Sequence, residues 1–304
     1  MNTEVRLNAV TRKWEALING KVVCKSAYEA NAERGLKAQM KSIQATQSKT
    51  GSVNVTVSPF SINERFDFVT ELTTMVATRA TPSAIITGQG GLGKSFTVVK
   101  ALNECGLEDK TLALCDAAVG TTMNNSKSYT VVKGYSTAKG LYRTLYENKD
   151  SIVVFDDCDS ILKDAVAVNL LKAALDSYSR RIISYNADIK DDDLPRTFEF
   201  TGGIVFISNM SQEKFDTALK SRSMNVDLSM TTEEKIERME ALVTFPDFMP
   251  EFTVSTKKVA IETIKKYKDE TAELSLRSLI KVTKIVDAKT PSWEKLARYV
   301  LANS

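Results

Sequence analysis

The sequence predicts an α/β protein: a parallel sheet wound with helices, closed by an all-helical C-terminal portion and preceded by a small β-hairpin-and-helix module. Three observations carry that prediction. Between residues 61 and 228, short apolar runs of strand character alternate with helical stretches, as a parallel sheet with crossover helices requires. After Leu228 the strand signal ends and four helical patterns follow. Gly88–Ser95, GQGGLGKS, has the form G-x-x-x-x-G-K-[ST] and joins a strand to a helix.

The N-terminal module reads as a hairpin and then a helix. Trp14, Ala16 and Ile18 alternate on one face, Asn19-Gly20 supplies the positive-φ pair of a type I′ turn, and Val22–Cys24 return. Ser26 and Glu29 form a capping box opening a helix from about Ala27 to Ile43, which Gly35 weakens. Residues 44–52 are polar and aperiodic, a linker composition. A second box, Ser61 with Glu64, opens the helix leading into the sheet. Strands are predicted at Ser83–Thr87, Thr111–Cys115, Ile152–Asp156 and Ile204–Ser208, and helices near Ser95–Glu104, Thr137–Tyr146 and Ile161–Tyr178. The C-terminal helices fall at Thr232–Val243, Lys257–Asp269, Leu276–Ala288 and Ser292–Leu301. Thr231 with Glu234 caps the first, and Pro291 starts the last. The implied boundaries are 1–50 for the small basic module, 51–60 for a linker, 61–228 for the α/β nucleotide-binding domain and 229–304 for the helical segment.

Composition narrows the chemistry. A 43% hydrophobic, 26% charged chain of 304 residues is ordinary for a globular protein, and no stretch approaches a membrane span. The N-terminus lacks an apolar signal core, so a cytoplasmic location is expected. Cys24, Cys105, Cys115 and Cys158 stand far apart, which argues for reduced thiols and against zinc. There is no histidine, so acid–base work falls to carboxylates, Lys or water. Residues 1–50 carry nine Lys or Arg against four Asp or Glu, whereas the remainder has 32 against 34, so the basic excess is all N-terminal.

In the glycine-rich loop, successive backbone N–H groups can turn inward around phosphate oxygens where side chains would block them. The following helix adds the positive end of its dipole. Gly88, Gln89, Gly90, Gly91, Leu92, Gly93, Lys94, Ser95 and Phe96 are therefore the candidate nucleotide-binding residues. Lys94 reaches the β- and γ-phosphates and the Ser95 hydroxyl ligates Mg²⁺. Ile152–Asp156 is an apolar strand tipped by two carboxylates: Asp156 is placed to hold the Mg²⁺ shell and Asp157 to polarise the attacking water. Ile204–Ser208 leads to Asn209, whose amide either orients that water or simply turns the chain.

In this order the motifs resemble the AAA+ ATPases across about residues 60–304, from GQGGLGKS through VVFDDCDSIL and IVFISN to ALKSRSMNVDL and LSLRSLIKV. The resemblance implies ATP with Mg²⁺, a Walker A loop at Gly88–Ser95, a Walker B strand ending at Asp156-Asp157 and a sensor-1 Asn209. It also implies an arginine finger at Arg222, acting in a neighbouring subunit, a sensor-2 Arg277, and a helical lid. A homo-oligomeric ring or open ring follows, hexamers included. Without that context, Arg222 and Arg277 read as solvated or salt-bridged surface side chains. KGYSTAKGLYRTLYEN and LPRTFEFTGGIVFISN look like segments of ATPases encoded by bacteriophages. Many family members have Glu where this chain has Asp157, and the double-Asp form resembles bacterial replication initiators and helicase loaders.

Three roles stay open: remodelling or loading on DNA in phage-type replication, recombination or transcription; threading of a polypeptide; and an ATP-switched scaffold. The polar segment Ala117–Thr137, with Tyr129 and Tyr135, reads as a pore grip or as a helix-leading loop. Arg180–Phe200 has the length of an inserted hairpin whose Arg180, Arg181 and Arg196 contact a partner or a neighbouring subunit. Arg34, Lys37 and Lys41 share a helix face, and Arg12, Lys13, Lys21 and Lys25 crowd the hairpin, a footprint for DNA phosphates or a solvated surface. A recruiting protein partner is expected but not specified.

Overall fold

The computed structural model describes residues 3–9, 11, 13–18, 21–31, 33–34, 37, 58–113, 125–134, 136–176, 178–186 and 194–303. The chain divides into two compact units, Met1–Thr56 and Val57–Ser304. In the first, β1 (Thr3–Leu7), β2 (Trp14–Ile18) and β3 (Lys21–Ser26) form an antiparallel meander. β1 is an addition to the expected hairpin. A register shift between Ala16 and Leu17 also breaks the predicted alternation, so that these consecutive residues are both buried, as a bulge permits. Buried Glu15 is neutralised by Lys25 at 2.9 Å and accepts from Asn8 Nδ2 at 3.1 Å. The Ser26 hydroxyl accepts from the Tyr28 N–H at 3.1 Å, and helix begins at Glu29. The Asn19-Gly20 turn, Gly35 and residues 44–52 lie outside the described residues.

The second unit is built on a sheet whose pairings are all parallel. It comprises β4 (Ser83–Thr87), β5 (Glu108–Asp109), β6 (Ser128–Lys133), β7 (Ile152–Asp156), β10 (Gly203–Ile207) and β11 (Met224–Asp227). Their order is β11-β4-β10-β7-β6-β5. The short β8 (Ile182–Ser184) and β9 (Thr197–Glu199) pair antiparallel outside it, as the inserted-hairpin reading of Arg180–Phe200 requires. Every residue of β4, β7 and β10 is buried, the pattern of a parallel sheet covered on both faces. Alternate side chains feed opposite layers. Ala84, Ile86, Val154 and Val205 pack with α1 (Ile62–Ala77) and α2 (Lys94–Glu104). Ile85, Val153, Phe155 and Phe206 pack with α3 (Ala138–Glu147) and α4 (Ala165–Ala174).

Two predicted elements are corrected. Thr111 and Leu112 form a turn rather than a strand, and Cys115 lies outside the described residues. The sheet takes β6 instead, whose Val131 N–H donates to Thr111 Oγ1 at 3.0 Å. The helix predicted over Ile161–Tyr178 is broken at Asp164, which accepts from the Val166 and Ala167 N–H groups and caps α4 after a short 3₁₀ turn. A side chain that captures those donors starts a helix rather than continuing one.

After α5 (Thr217–Arg222) and β11, four helices pack around a third core: α6 (Thr232–Val243), α7 (Val254–Tyr267), α8 (Leu276–Asp287) and α9 (Trp293–Ala302). Met239, Ile264, Leu279 and Leu301 are fully buried there, at roughly 1.5–3 kcal/mol each. Both capping boxes, Ser61 with Glu64 and Thr231 with Glu234, are formed. Arg65 of α1 ties the sheet layer to the start of α6. It donates to Asp227 O at 3.2 Å and Ser229 O at 2.9 Å and pairs with Glu234. No helix among the described residues is long and apolar enough to cross a membrane.

Candidate functional site

Connections leaving the adjacent strands β4 and β10 run in opposite directions, one to β5 and the other to β11. Such a switch point opens a crevice at the C-terminal ends of the strands. The Gly88–Ser95 loop occupies it. Gly88, Gly91 and Gly93 have φ of 134°, 71° and 93°, where side chains are strained. At Gly88 the reason is doubled, since a Cβ would stand 2.8 Å from the Leu228 carbonyl carbon. Helix α2 starts at Lys94 with no side-chain cap, so its first N–H groups are left to face an anion.

Lys94 is buried, and its Nζ donates to Gly88 O and Gln89 O, each at 2.7 Å, and to Asn209 Oδ1 at 2.9 Å. Burial pulls its pKa down to about 8, opposed by the carboxylates of Asp157, Asp156 and Asp159. Ser95 Oγ donates to Asp156 Oδ1 at 2.9 Å. The other oxygen of buried Asp156 holds Lys133 Nζ at 3.0 Å. Asp157 follows in the left-handed region, φ 56°, with its N–H on Ile207 O at 3.0 Å. Its Oδ1 accepts from Asn209 Nδ2 at 2.7 Å. Burial and the neighbouring Asp156 raise the Asp157 pKa. Because β10 lies between β4 and β7, Asn209 bridges the loop lysine and the second carboxylate. Ser208 Oγ donates to Asp159 Oδ1 at 2.6 Å beneath them.

The C-terminal helices reach this crevice. The Leu276 N–H, the first of α8, donates to Gly91 O at 2.9 Å. A Cβ on Gly91 would lie 3.7 Å from Arg277 Cδ, and the Arg277 charge is felt at Lys94. Phe96 is 61% exposed and, with Phe66, Gly93, Arg238, Leu276 and Ile280, lines a cleft of about 450 Å³. Leu92 is buried in the core beneath the loop.

Arg222 is not brought to this group. It ends α5, its Nη1 donates to Ala218 O at 3.1 Å, and its buried Nε has no partner. Ser83 Oγ donates to Arg222 O at 3.4 Å, so Arg222 sits at the start of β4, the end opposite the loop. That is about 15 Å away along the strand.

The other expected contact residues divide between buried and exposed positions. Tyr129 is fully buried in β6, its hydroxyl on Asn103 Oδ1 at 3.0 Å, and grips nothing; Tyr135 lies outside the described residues. Arg180 is 72% exposed and held bidentate by Glu199 at 3.0 and 2.8 Å, and Arg181 donates to the Ala174 and Gly202 carbonyls, which ties the hairpin to α4 and the start of β10. Arg196 is exposed. In the N-terminal unit Lys13, Lys21, Arg34 and Lys37 are exposed and Lys25 is paired with Glu15, while Arg12 and Lys41 lie outside the described residues. Lys133, Ser208 and Asp159 escaped the sequence reading, because strand order alone brings them to the site.

A hydroxyl and a carboxylate oxygen 2.9 Å apart beside a phosphate loop are hard donors that suit Mg²⁺, which takes one or two carboxylates and fills its shell from phosphates and water. Among the described residues no group of three or more His, Cys, Asp or Glu is arranged to hold a metal ion.

No family model matches the chain. It is 28% identical over 254 residues to an uncharacterized 36.7 kDa protein in the nrdC-mobD intergenic region of Enterobacteria phage T4. The match spans 78% of this chain and 73% of that relative. The similarity links the chain to bacteriophage.

Proposed function

We propose that this chain is an ATPase of the AAA+ type, hydrolysing ATP at seams between identical subunits to remodel or load components on phage or host DNA. The observation that carries the reading is the convergence of Lys94, Ser95, Asp156, Asp157 and Asn209 from three strand ends into one hydrogen-bonded group beneath a glycine-rich loop. A triphosphate in the loop would draw Lys94 from the Gly88 and Gln89 carbonyls, a short move for a flexible ammonium. Ser95 and Asp156 would hold Mg²⁺, which supplies charge neutralisation between the β- and γ-phosphates. Asp157 accepts the proton of the attacking water, and Asn209 fixes the carboxylate that does so. Arg277 approaches from α8 as a cis lid arginine. The cleft beside Gly93 and Phe96 has room for a base, in keeping with about 300–1,000 Å³ for small-molecule sites. Arg222, remote from its own loop, would act on a neighbour's γ-phosphate.

The DNA role rests on the exposed Lys13, Lys21, Arg34 and Lys37 and on the phage relative. Peptide threading loses one of its two tyrosines with Tyr129 buried, while Tyr135 lies outside the described residues. An ATP-switched scaffold keeps one specific support: Asp157 is short and already hydrogen-bonded to Asn209, an arrangement suited to slow turnover. The deciding test is ATP hydrolysis with and without DNA, for the native chain and for Lys94→Ala. DNA-stimulated turnover lost in the variant supports the proposal, ATP-dependent assembly with negligible turnover favours the scaffold, and no ATP binding at all refutes both.

A further inference from the structure

Lys133 is the last residue of β6, and the parallel register sets it directly opposite Asp156 at the tip of β7. Its side chain is 68% exposed, yet its Nζ lies 3.0 Å from Asp156 Oδ2, on a carboxylate whose side chain is only 6% exposed. The other oxygen, Oδ1, is taken by Ser95. Asp157 and Asp159 add negative charge nearby, and Lys133 also acts on Asp157. A carboxylate this buried needs a counter-charge. Lys133 supplies it.

We propose that Lys133 is a built-in counter-cation for the metal-binding carboxylate, and that Mg²⁺ competes with its ammonium for Asp156. This rests on the ATP·Mg²⁺ reading and goes beyond it, by assigning a residue that sets how the site divides between metal-free and metal-bound nucleotide. Two opposite effects follow. With Lys133 in place, metal-free nucleotide meets a neutralised Asp156 and is tolerated. Without it, the uncompensated carboxylate repels the phosphates but draws the divalent cation more strongly. Because the stem is largely solvated, the substitution removes charge without opening the core.

The test is fluorescence polarisation of an N-methylanthraniloyl ATP analogue, in EDTA and across an Mg²⁺ titration, with the full chain, Lys133→Gln and Lys133→Arg. Lys133→Gln should lower the Mg²⁺ midpoint about tenfold and weaken metal-free binding in the same preparation. Lys133→Arg should leave the midpoint unchanged or raise it. An unmoved or higher midpoint in a folded Lys133→Gln, or a fall in Lys133→Arg, overturns the inference while leaving the ATP reading intact. Absence of nucleotide binding by the native chain under every condition removes the ATP reading and this inference together.

Discussion

Burial governs Lys94 before any phosphate does. Its pKa of about 8 lies below the ordinary 10.5, so between those values the folded chain holds fewer protons than the unfolded one. Folding is disfavoured by this group below about pH 8 and relieved as the pH rises through that window. Phosphate binding has the opposite slope because it needs the ammonium. ATP affinity should fall above about pH 8, by up to about tenfold per unit, and calorimetry across that range checks it; a flat profile would remove the lysine from the phosphates. Asp157 titrates on the acid side. Its pKa is raised and the working form is the carboxylate, so turnover should decline on acidification already above the usual aspartate range. Asp157→Asn should cut turnover by about 10²–10⁴ and leave ATP bound, which single-turnover kinetics separates from lost binding. These residues were legible because their chemistry is written in adjacent letters: GKS, FDD, ISN. Lys133 was not, since a lone Lys ending a polar-apolar run has no meaning until β6 and β7 are seen side by side.

At the scale of elements, Arg65 is the joint between the sheet layer and the C-terminal helices. It is buried, and removing it leaves Glu234 without its cation and the Asp227 and Ser229 carbonyls without their donor. Arg65→Met should therefore destabilise the fold by about 3–5 kcal/mol, read from the urea midpoint; a loss under about 1 kcal/mol would mean that water replaces the guanidinium. The caps of α1 and α6 could be read directly, since their Ser-x-x-Glu and Thr-x-x-Glu each satisfy orphan donors from both ends of the box. β6 could not. In TLALC the apolar residues make the stronger local strand signal, whereas SYTVVK is chosen by what surrounds it: Tyr129 finds Asn103, and Ser128 finds Ser151. The bulge at Ala16/Leu17 is equally tertiary, for local alternation gives no reason to insert it.

For the whole molecule, the position of Arg222 decides whether one copy can act alone. It stands at the opposite end of β4 from the loop of its own chain, so under the proposed mechanism a single subunit holds an incomplete charge-stabilising set. Specific ATPase activity should rise with protein concentration, and Arg222→Ala should lose about 10³–10⁵ in kcat at unchanged ATP affinity. Concentration-independent turnover by a monomer would contradict the seam. The packing of the C-terminal helices against the loop also has a practical outcome at a single peptide group. As the first helical residue of α8, Leu276 has an N–H with no intrahelical acceptor, and Gly91 O supplies one from across the crevice. That amide proton is thereby shielded by a contact that any rearrangement of the glycines would break. Its deuterium uptake, followed by mass spectrometry with and without ligand, becomes a local gauge of whether the C-terminal helices swing when the crevice fills.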